Sequence, residues 1–160
     1  MLKIREAKKT DLRSIAEILI ICFPNDFSNK KTALNWINER SNLKTFSKYH
    51  IADFNGEIAG YVYNKMLGGI SGILELEQIG VHPNYHGKGI GKELILESEK
   101  FWIKYFKNKF KKKLYKIILT TSEVNDKAHN LYTRCGFKYE AKIKDLYFKS
   151  NEEIWIKKLK

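Results

Sequence analysis

The segment Val81-His82-Pro83-Asn84-Tyr85-His86-Gly87-Lys88-Gly89-Ile90-Gly91-Lys92 limits what this chain can fold into more than any other. An apolar run over residues 73–81 leads into it and an amphipathic stretch leaves it, so three alternate glycines stand where a strand hands over to a helix. Glycine lets the backbone turn tightly there and leaves the amides of the first helical turn uncovered. Those amides have no partners within the helix, and the helix dipole adds to their attraction for an anion. A diphosphate is the natural guest. The commoner nucleotide signatures do not fit: a dinucleotide-binding GxGxxG would need glycine at Lys92, and a P-loop needs different spacing before Gly-Lys and then Ser or Thr. A tight turn with close helix packing is the bland alternative.

The pattern on either side alternates strands and helices. Residues 2–5 read as a short strand. Thr10 and Asp11 supply an N-cap and an acidic first turn for a helix through Leu12, Ile15, Ile18 and Leu19 that stops before Pro24. A weaker helix over 30–40 presents Leu34, Trp36 and Ile37, and its entry loop, 23–29, is a candidate lid. Strands over 49–54 and 57–66 flank Asn55-Gly56, the pair suited to a type I′ hairpin turn. After the break at 68–72, the pattern predicts a buried strand over 73–81 and a helix over 89–106. A strand over 115–121, a helix over 126–135 and closing strands over 137–148 and 153–159 follow. Hairpins first and strand–helix alternation later give an α/β class with a central mixed, mostly antiparallel sheet and helices on both faces. The parallel step belongs to the strand–helix–strand unit over 73–121.

Composition narrows the class. At 160 residues, 43% apolar and 13% aromatic, the chain suits one domain spanning 1–160 and is too apolar for a disordered segment. The longest apolar stretch, 15–23, is interrupted by Glu17 and falls short of the ~20 residues a membrane span needs. Lys and Arg outnumber Asp and Glu by 30 to 18, a net charge of +12 that attracts phosphate without naming its bearer. Cys22 and Cys135 stand far apart without metal-ligand spacing and read as reduced thiols. With no signal-peptide pattern at the start, the expected location is cytoplasmic.

Two ordered motifs carry a family resemblance. His86-Gly87-Lys88-Gly89-Ile90-Gly91 resembles the Gln/Arg-x-x-Gly-x-Gly/Ala signature of the GNAT superfamily of acetyl-CoA-dependent N-acetyltransferases, with His86 in place of Gln or Arg. Some 40 residues on, Asn125 to Phe137 is similar to that family's Asn-x-x-Ala-x-x-Leu-Tyr-x-x-x-Gly-Phe segment at every named position. The resemblance implies a GNAT (acyl-CoA N-acyltransferase) fold that moves the acetyl group of acetyl-CoA directly to a primary amine within a ternary complex. It implies that His86, Gly87, Lys88, Gly89, Ile90, Gly91 and Lys92 hold the pyrophosphate. Ile79, Gly80 and Val81 would hold the pantetheine and polarise the thioester carbonyl, and Asn125 and Ala128 would serve the cofactor or the helix.

The same residues suit that chemistry physically. Ala128, Leu131, Tyr132 and Cys135 share one helix face, which aims the Tyr132 phenol toward the sheet as a proton donor to the departing sulfur. Glu75 and Glu77, two apart on one strand, share a face unless a bulge intervenes. Either of them can hold the water that takes the proton of an ammonium whose pKa lies near 10. His82 and His86 straddle Pro83 without a third ligand, so no metal is expected. The lysines from Lys104 to Lys116, interleaved with Trp102, Tyr105, Phe106 and Phe110, read as a solvated helix end anchored by its aromatics, in preference to a nucleic-acid surface. The acceptor, a small amine or a protein amine, is expected to meet the 23–29 loop, the helix around Trp36 and the hairpin at 145–147. A non-catalytic CoA-sensing or nucleic-acid-binding protein on this fold is the alternative function. The chain is expected to be a monomer or a homodimer.

Overall fold

The computed structural model describes residues 1–41, 45–147 and 150–160, with Tyr147 described by its backbone alone. Its elements are β1 (Leu2–Glu6), α1 (Leu12–Cys22), α2 (Lys30–Ser41), β2 (Ser47–Phe54), β3 (Glu57–Leu67), β4 (Ile73–Val81), α3 (Ile90–Phe110), β5 (Lys116–Ser122), α4 (Asp126–Arg134), β6 (Lys138–Tyr147) and β7 (Ser150–Lys158). The seven strands follow the order β1-β2-β3-β4-β5-β7-β6. Pairing is antiparallel at β1–β2, β2–β3, β5–β7 and β6–β7, and parallel at β4–β5, where the strand–helix–strand spacing predicts it. Phe148, the expected end of the sixth strand, lies outside the described residues. The chain forms two compact units, Met1–Lys65 with Gln78–Ser98 and Met66–Glu77 with Glu99–Lys160.

In the first unit, Asn55 and Gly56 take φ angles of 57° and 91°, as the type I′ turn requires. Alternation then sorts the hairpin's side chains by face. Tyr49, Ile51, Tyr61 and Tyr63 pack against Ile15, Ile18 and Leu19 of α1 and Ala33 and Ile37 of α2. On the other face, Gly60 lies under α3: a Cβ there would meet the Gly80 carbonyl oxygen at 2.8 Å and Leu94 Cδ1 at 3.2 Å. Helices therefore cover both faces of this unit's strands.

Two local expectations need correction. Thr10 does not cap α1; it lies within a 3-10 turn, Lys9–Asp11, and Asp11 precedes the helix without a side-chain cap bond. Asp11 instead takes both guanidinium nitrogens of Arg5, at 2.6 and 3.0 Å, and the Lys8 amide at 2.7 Å. A bidentate charge-assisted pair outweighs a hydroxyl cap, and it holds the Asp11 carboxyl below its usual range. On α2, Ala33 and Ile37 are the buried residues, while Leu34 and Trp36 are half-buried. The small Ala33 lets the helix approach the tyrosine face.

In the second unit, Ile73, Leu74 and Glu75 pair with Lys116, Ile117 and Ile118. Along the strand expected to be buried over 73–81, Leu74, Leu76 and, in its first-unit part, Gly80 are buried and the other residues are half-buried. Helix α3 runs to Phe110, one turn past the expected end at 106. Phe106 is fully buried with the Phe110 ring 5.2 Å away, and Lys107 and Lys109 complement the helix dipole in the last turn. Trp102 is also fully buried, so the aromatics among the lysines do anchor this helix. Helix α4 begins where the Asn125 side-chain oxygen accepts the Ala128 amide at 3.2 Å and ends before Gly136, at φ 86°.

One buried histidine gives the fold a predicted acid response. Burial, with a smaller push from Lys48, lowers His50 from 6.5 to about 4. The unfolded chain therefore binds this proton more readily, and His50's contribution to stability is intact above pH 6.5 and is lost as pH falls toward about 4. The full effect is on the order of 3 kcal/mol, and the loss from Asp11 begins only below its unperturbed 3.8. Urea unfolding at a series of pH values should show this decline in the natural protein and a flatter profile in His50→Phe. A level profile in the natural protein would contradict the assignment.

Candidate functional site

The glycine turn is shaped as a cradle. Gly87 and Gly89 each have φ 76°, and a Cβ built on either meets nothing within 4 Å. The neighbouring protein atoms thus do not demand glycine by contact; the left-handed backbone does, and open space lies above it. Helix α3 starts directly afterwards, with Glu93 N–H donating to the Gly89 carbonyl at 3.1 Å and the Ile90 side chain buried.

His86 Nε2 donates to the Val81 carbonyl at 2.8 Å and so ties the end of β4 to the start of the cradle. The imidazole at this position, where the family motif has Gln or Arg, is thus engaged within the turn itself. His82 Nδ1 accepts the Asn84 amide at 3.2 Å within the same turn. Lys88 Nζ lies 5.2 Å from the Phe54 ring centroid and 5.0 Å from that of Tyr85, whose hydroxyl donates to Glu57. This support from the β2–β3 hairpin was not legible in sequence, because nothing local links Phe54 to Lys88.

Next to the cradle, Ile79, Gly80 and Val81 end β4. A Cβ on Gly80 would come within 2.9 Å of Tyr61 Cε1 and 3.4 Å of Cys22 Sγ, so this glycine is required by the chain's own packing. The Cys22 thiol donates to the Val81 carbonyl at 3.5 Å and burial pushes its pKa up, which keeps it protonated. Tyr61, raised by burial, donates from its hydroxyl to Gln78 Oε1 at 2.7 Å. Gly60, Cys22, Tyr61 and Gln78 all shape this strand end. Sequence reasoning passed over them, since a lone glycine in a strand pattern signals close approach without naming the neighbour.

The other candidates lie in the second unit. Glu75 and Glu77 are half-buried on β4. Tyr132 is 6% exposed, with its ring 5.9 Å from that of Phe137. Burial, aided by Cys135, pushes its pKa up to about 12, so the phenol keeps its proton throughout the neutral range. Asn125 is engaged as the cap of α4 through Ala128, which places both in helix support. His129, one turn before Tyr132, has Nε2 3.2 Å from the Ser122 carbonyl and 3.3 Å from Glu153 Oε2, and its ring stacks on Trp155. Ile79 to Val81 and His86 to Lys92 belong to the first unit, and Glu75, Glu77, Asn125, Ala128 and Tyr132 to the second.

A family model described as "Acetyltransferase (GNAT) family" matches residues 12–137. The chain belongs to the GNAT family of acetyltransferases. It is therefore an acyltransferase, and the expected GNAT fold is confirmed by solved structures. An acetyltransferase of the GNAT family from Streptococcus pneumoniae is 22% identical over 100% of both chains, with a TM-score of 0.72. The spermidine N-acetyltransferase of Vibrio cholerae, solved in complex with CoA and spermine, is 21% identical over 98% of this chain and 95% of that one, with a TM-score of 0.76. An IAA acetyltransferase from Bacillus cereus is 16% identical over 99% and 100% of the two chains, with a TM-score of 0.73. Among the described residues, no helix is long and apolar enough to cross a membrane.

The cradle carries a direct prediction. Gly89→Val would place a branched side chain over the amides, and acetyl-CoA binding by calorimetry should be lost while far-UV circular dichroism stays native. Binding at unchanged affinity in a folded variant would remove the cradle from the site.

Proposed function

We propose that this GNAT enzyme takes acetyl-CoA as cosubstrate and transfers its acetyl group directly to a primary amine, with residues 1–160 acting as one catalytic domain. The observation that carries the reading is the pair of left-handed glycines, Gly87 and Gly89, with open space above them at the free amides of α3. Those amides, with Gly91 and Lys92 in the first turn, suit a pyrophosphate; Ile79, Gly80 and Val81 are assigned to the pantetheine arm and the thioester carbonyl. The V. cholerae relative, crystallised with CoA and spermine, lends support to an amine acceptor. Its class, small molecule or protein, is left to experiment.

Glu75 or Glu77 holds the water that receives a proton from the incoming ammonium. The amine nitrogen then bonds to the thioester carbon as the carbon–sulfur bond breaks, and the sulfur departs as the CoA thiol. For each turnover one proton is released to solvent. Tyr132 sits at the sulfur end of this scheme. A phenol at about 12 holds its proton more tightly than a thiol near 8.5. It therefore steadies the departing sulfur chiefly through a hydrogen bond, and solvent restores any proton it gives up.

Tyr132→Phe keeps the ring and its packing and removes only the hydroxyl. We expect acetyl transfer to a panel of polyamines, amino sugars and peptide amines, followed by CoA release, to fall at least about tenfold, or about 1.4 kcal/mol in the barrier. Acetyl-CoA affinity should barely change. An unaltered rate would remove Tyr132 from the chemistry, and no CoA release with any amine would favour a non-catalytic CoA-binding role.

A further inference from the structure

Three segments distant in sequence meet at one end of the second unit. Strand β5 begins there and its neighbour β7 ends there, with Lys116 opposite Lys158. The Leu159 amide donates to the Tyr115 carbonyl at 2.7 Å, and the Tyr115 amide donates to the Gly72 carbonyl at 3.1 Å. The loop over residues 68–72 is thus joined to the segment that follows α3. A Cβ on Gly72 would lie 2.6 Å from Tyr115 Cε1 and 2.9 Å from the Lys113 carbonyl oxygen, so glycine is what lets the two segments touch. Ser71 closes the loop, its hydroxyl donating to the Leu67 carbonyl and accepting the Ile73 amide at 3.3 Å.

These segments are basic throughout. Residues 66–74, 100–122 and 154–160 contain no Asp or Glu. Lys107 and Lys109 complement the dipole of α3, but Lys111, Lys112 and Lys113 lie beyond its last turn, and Lys158 comes from β7; all six are exposed. The helix end alone does not require that much charge. Among the lysines, Ile70 in the loop is 42% exposed and Tyr115 is 48% exposed. An apolar side chain and an aromatic one with a polar tip therefore stand within the basic end.

We infer that this end docks on an anionic lipid bilayer, with its lysines against the headgroups and Ile70 and Tyr115 at the boundary between headgroups and acyl chains. The side chains fit that partner better than nucleic acid. Every cation of the three segments is a lysine, a compact point charge suited to a diffuse charged layer, and none is an arginine, whose planar fork reads individual phosphates. Stacking of bases needs exposed aromatic faces. Trp102 and Phe106 are fully buried, and Tyr115 is the exposed aromatic among the described residues of the tract. Ile70 gains nothing from a phosphate backbone, whereas at a bilayer it leaves water. Each lysine brought to an anionic leaflet strengthens partition about fivefold. A few lysines with one inserted isoleucine give reversible binding and need no membrane-crossing helix.

Cosedimentation of the full chain with vesicles of about 30% phosphatidylglycerol in phosphatidylcholine, against phosphatidylcholine alone, tests this. Partition into the anionic vesicles should be at least about tenfold stronger and should be lost at about 1 M salt. Lys111→Glu, Lys112→Glu and Lys113→Glu combined should weaken it at least about tenfold, and Ile70→Ser at least about threefold, both with an unchanged thermal midpoint. If the triple variant does not fold, Lys158→Glu should weaken partition about fivefold or more. The same change of net charge at Lys3, Lys8 and Lys9, exposed in the first unit, should cost far less. Equal loss from the two triple variants would mean that net charge and not this end attracts lipid, and would overturn the inference. Equal binding to both vesicles, no binding, or no loss from Ile70→Ser would also overturn it. A duplex oligonucleotide that binds through the three lysines and strips the protein from the vesicles would reassign this end to nucleic acid. Partition is read without acetyl transfer, so the outcome is independent of the proposed function.

Discussion

Backbone amides can hold a phosphate only where the chain leaves them bare, and the geometry of the first unit serves that requirement. Left-handed glycines at Gly87 and Gly89 turn β4 into α3 without placing a Cβ over the first helical turn. His86, bonded to the Val81 carbonyl, closes the turn on the strand. Beneath this, Gly60 and Gly80 let β3, β4 and α1 come close enough to fix where the strand ends. The proposed anion site therefore rests on packing on the protein side of the loop and openness on the other.

The chemical groups follow a different rule. Tyr132 is nearly buried and holds its proton strongly, which suits the proposed role of a hydrogen-bond donor that does not ionise at neutral pH. Its helix is fixed at the start by Asn125, in the middle by His129 against Ser122 and Trp155, and at the end by Gly136. A short helix of nine residues has little stability of its own. These ties, more than helix propensity, set where the phenol sits.

Much of this was legible before any coordinates, and the reasons divide cleanly. Asn55-Gly56, the 86–91 glycines and the Asn125 to Phe137 segment are local signals, in which residue type dictates backbone shape within a few positions. They gave the turn, the cradle and the tyrosine helix. What was missed depends on partners distant in sequence. Thr10 yielded to Asp11 because Arg5 of β1 captures that carboxylate. Ala33 joins Ile37 as a buried residue of α2 through its place beside the tyrosines of β2 and β3, with Leu34 and Trp36 only partly buried against that cluster. Gly60, Cys22 and the Phe54–Tyr85 seat of Lys88 matter only once β2, β3 and β4 are brought together.

The central claim is that the glycine turn is a shaped acetyl-CoA site and not a basic surface attracting phosphate at random. Thermal unfolding with acetyl-CoA, and with ATP and NAD as phosphate-bearing controls, tests it most directly. At about 100 times the dissociation constant, selective binding should add roughly 2.7 kcal/mol and raise the midpoint by about 5 to 10 °C, with little shift from the controls. Equal shifts with all three ligands, or none with acetyl-CoA, would contradict the account.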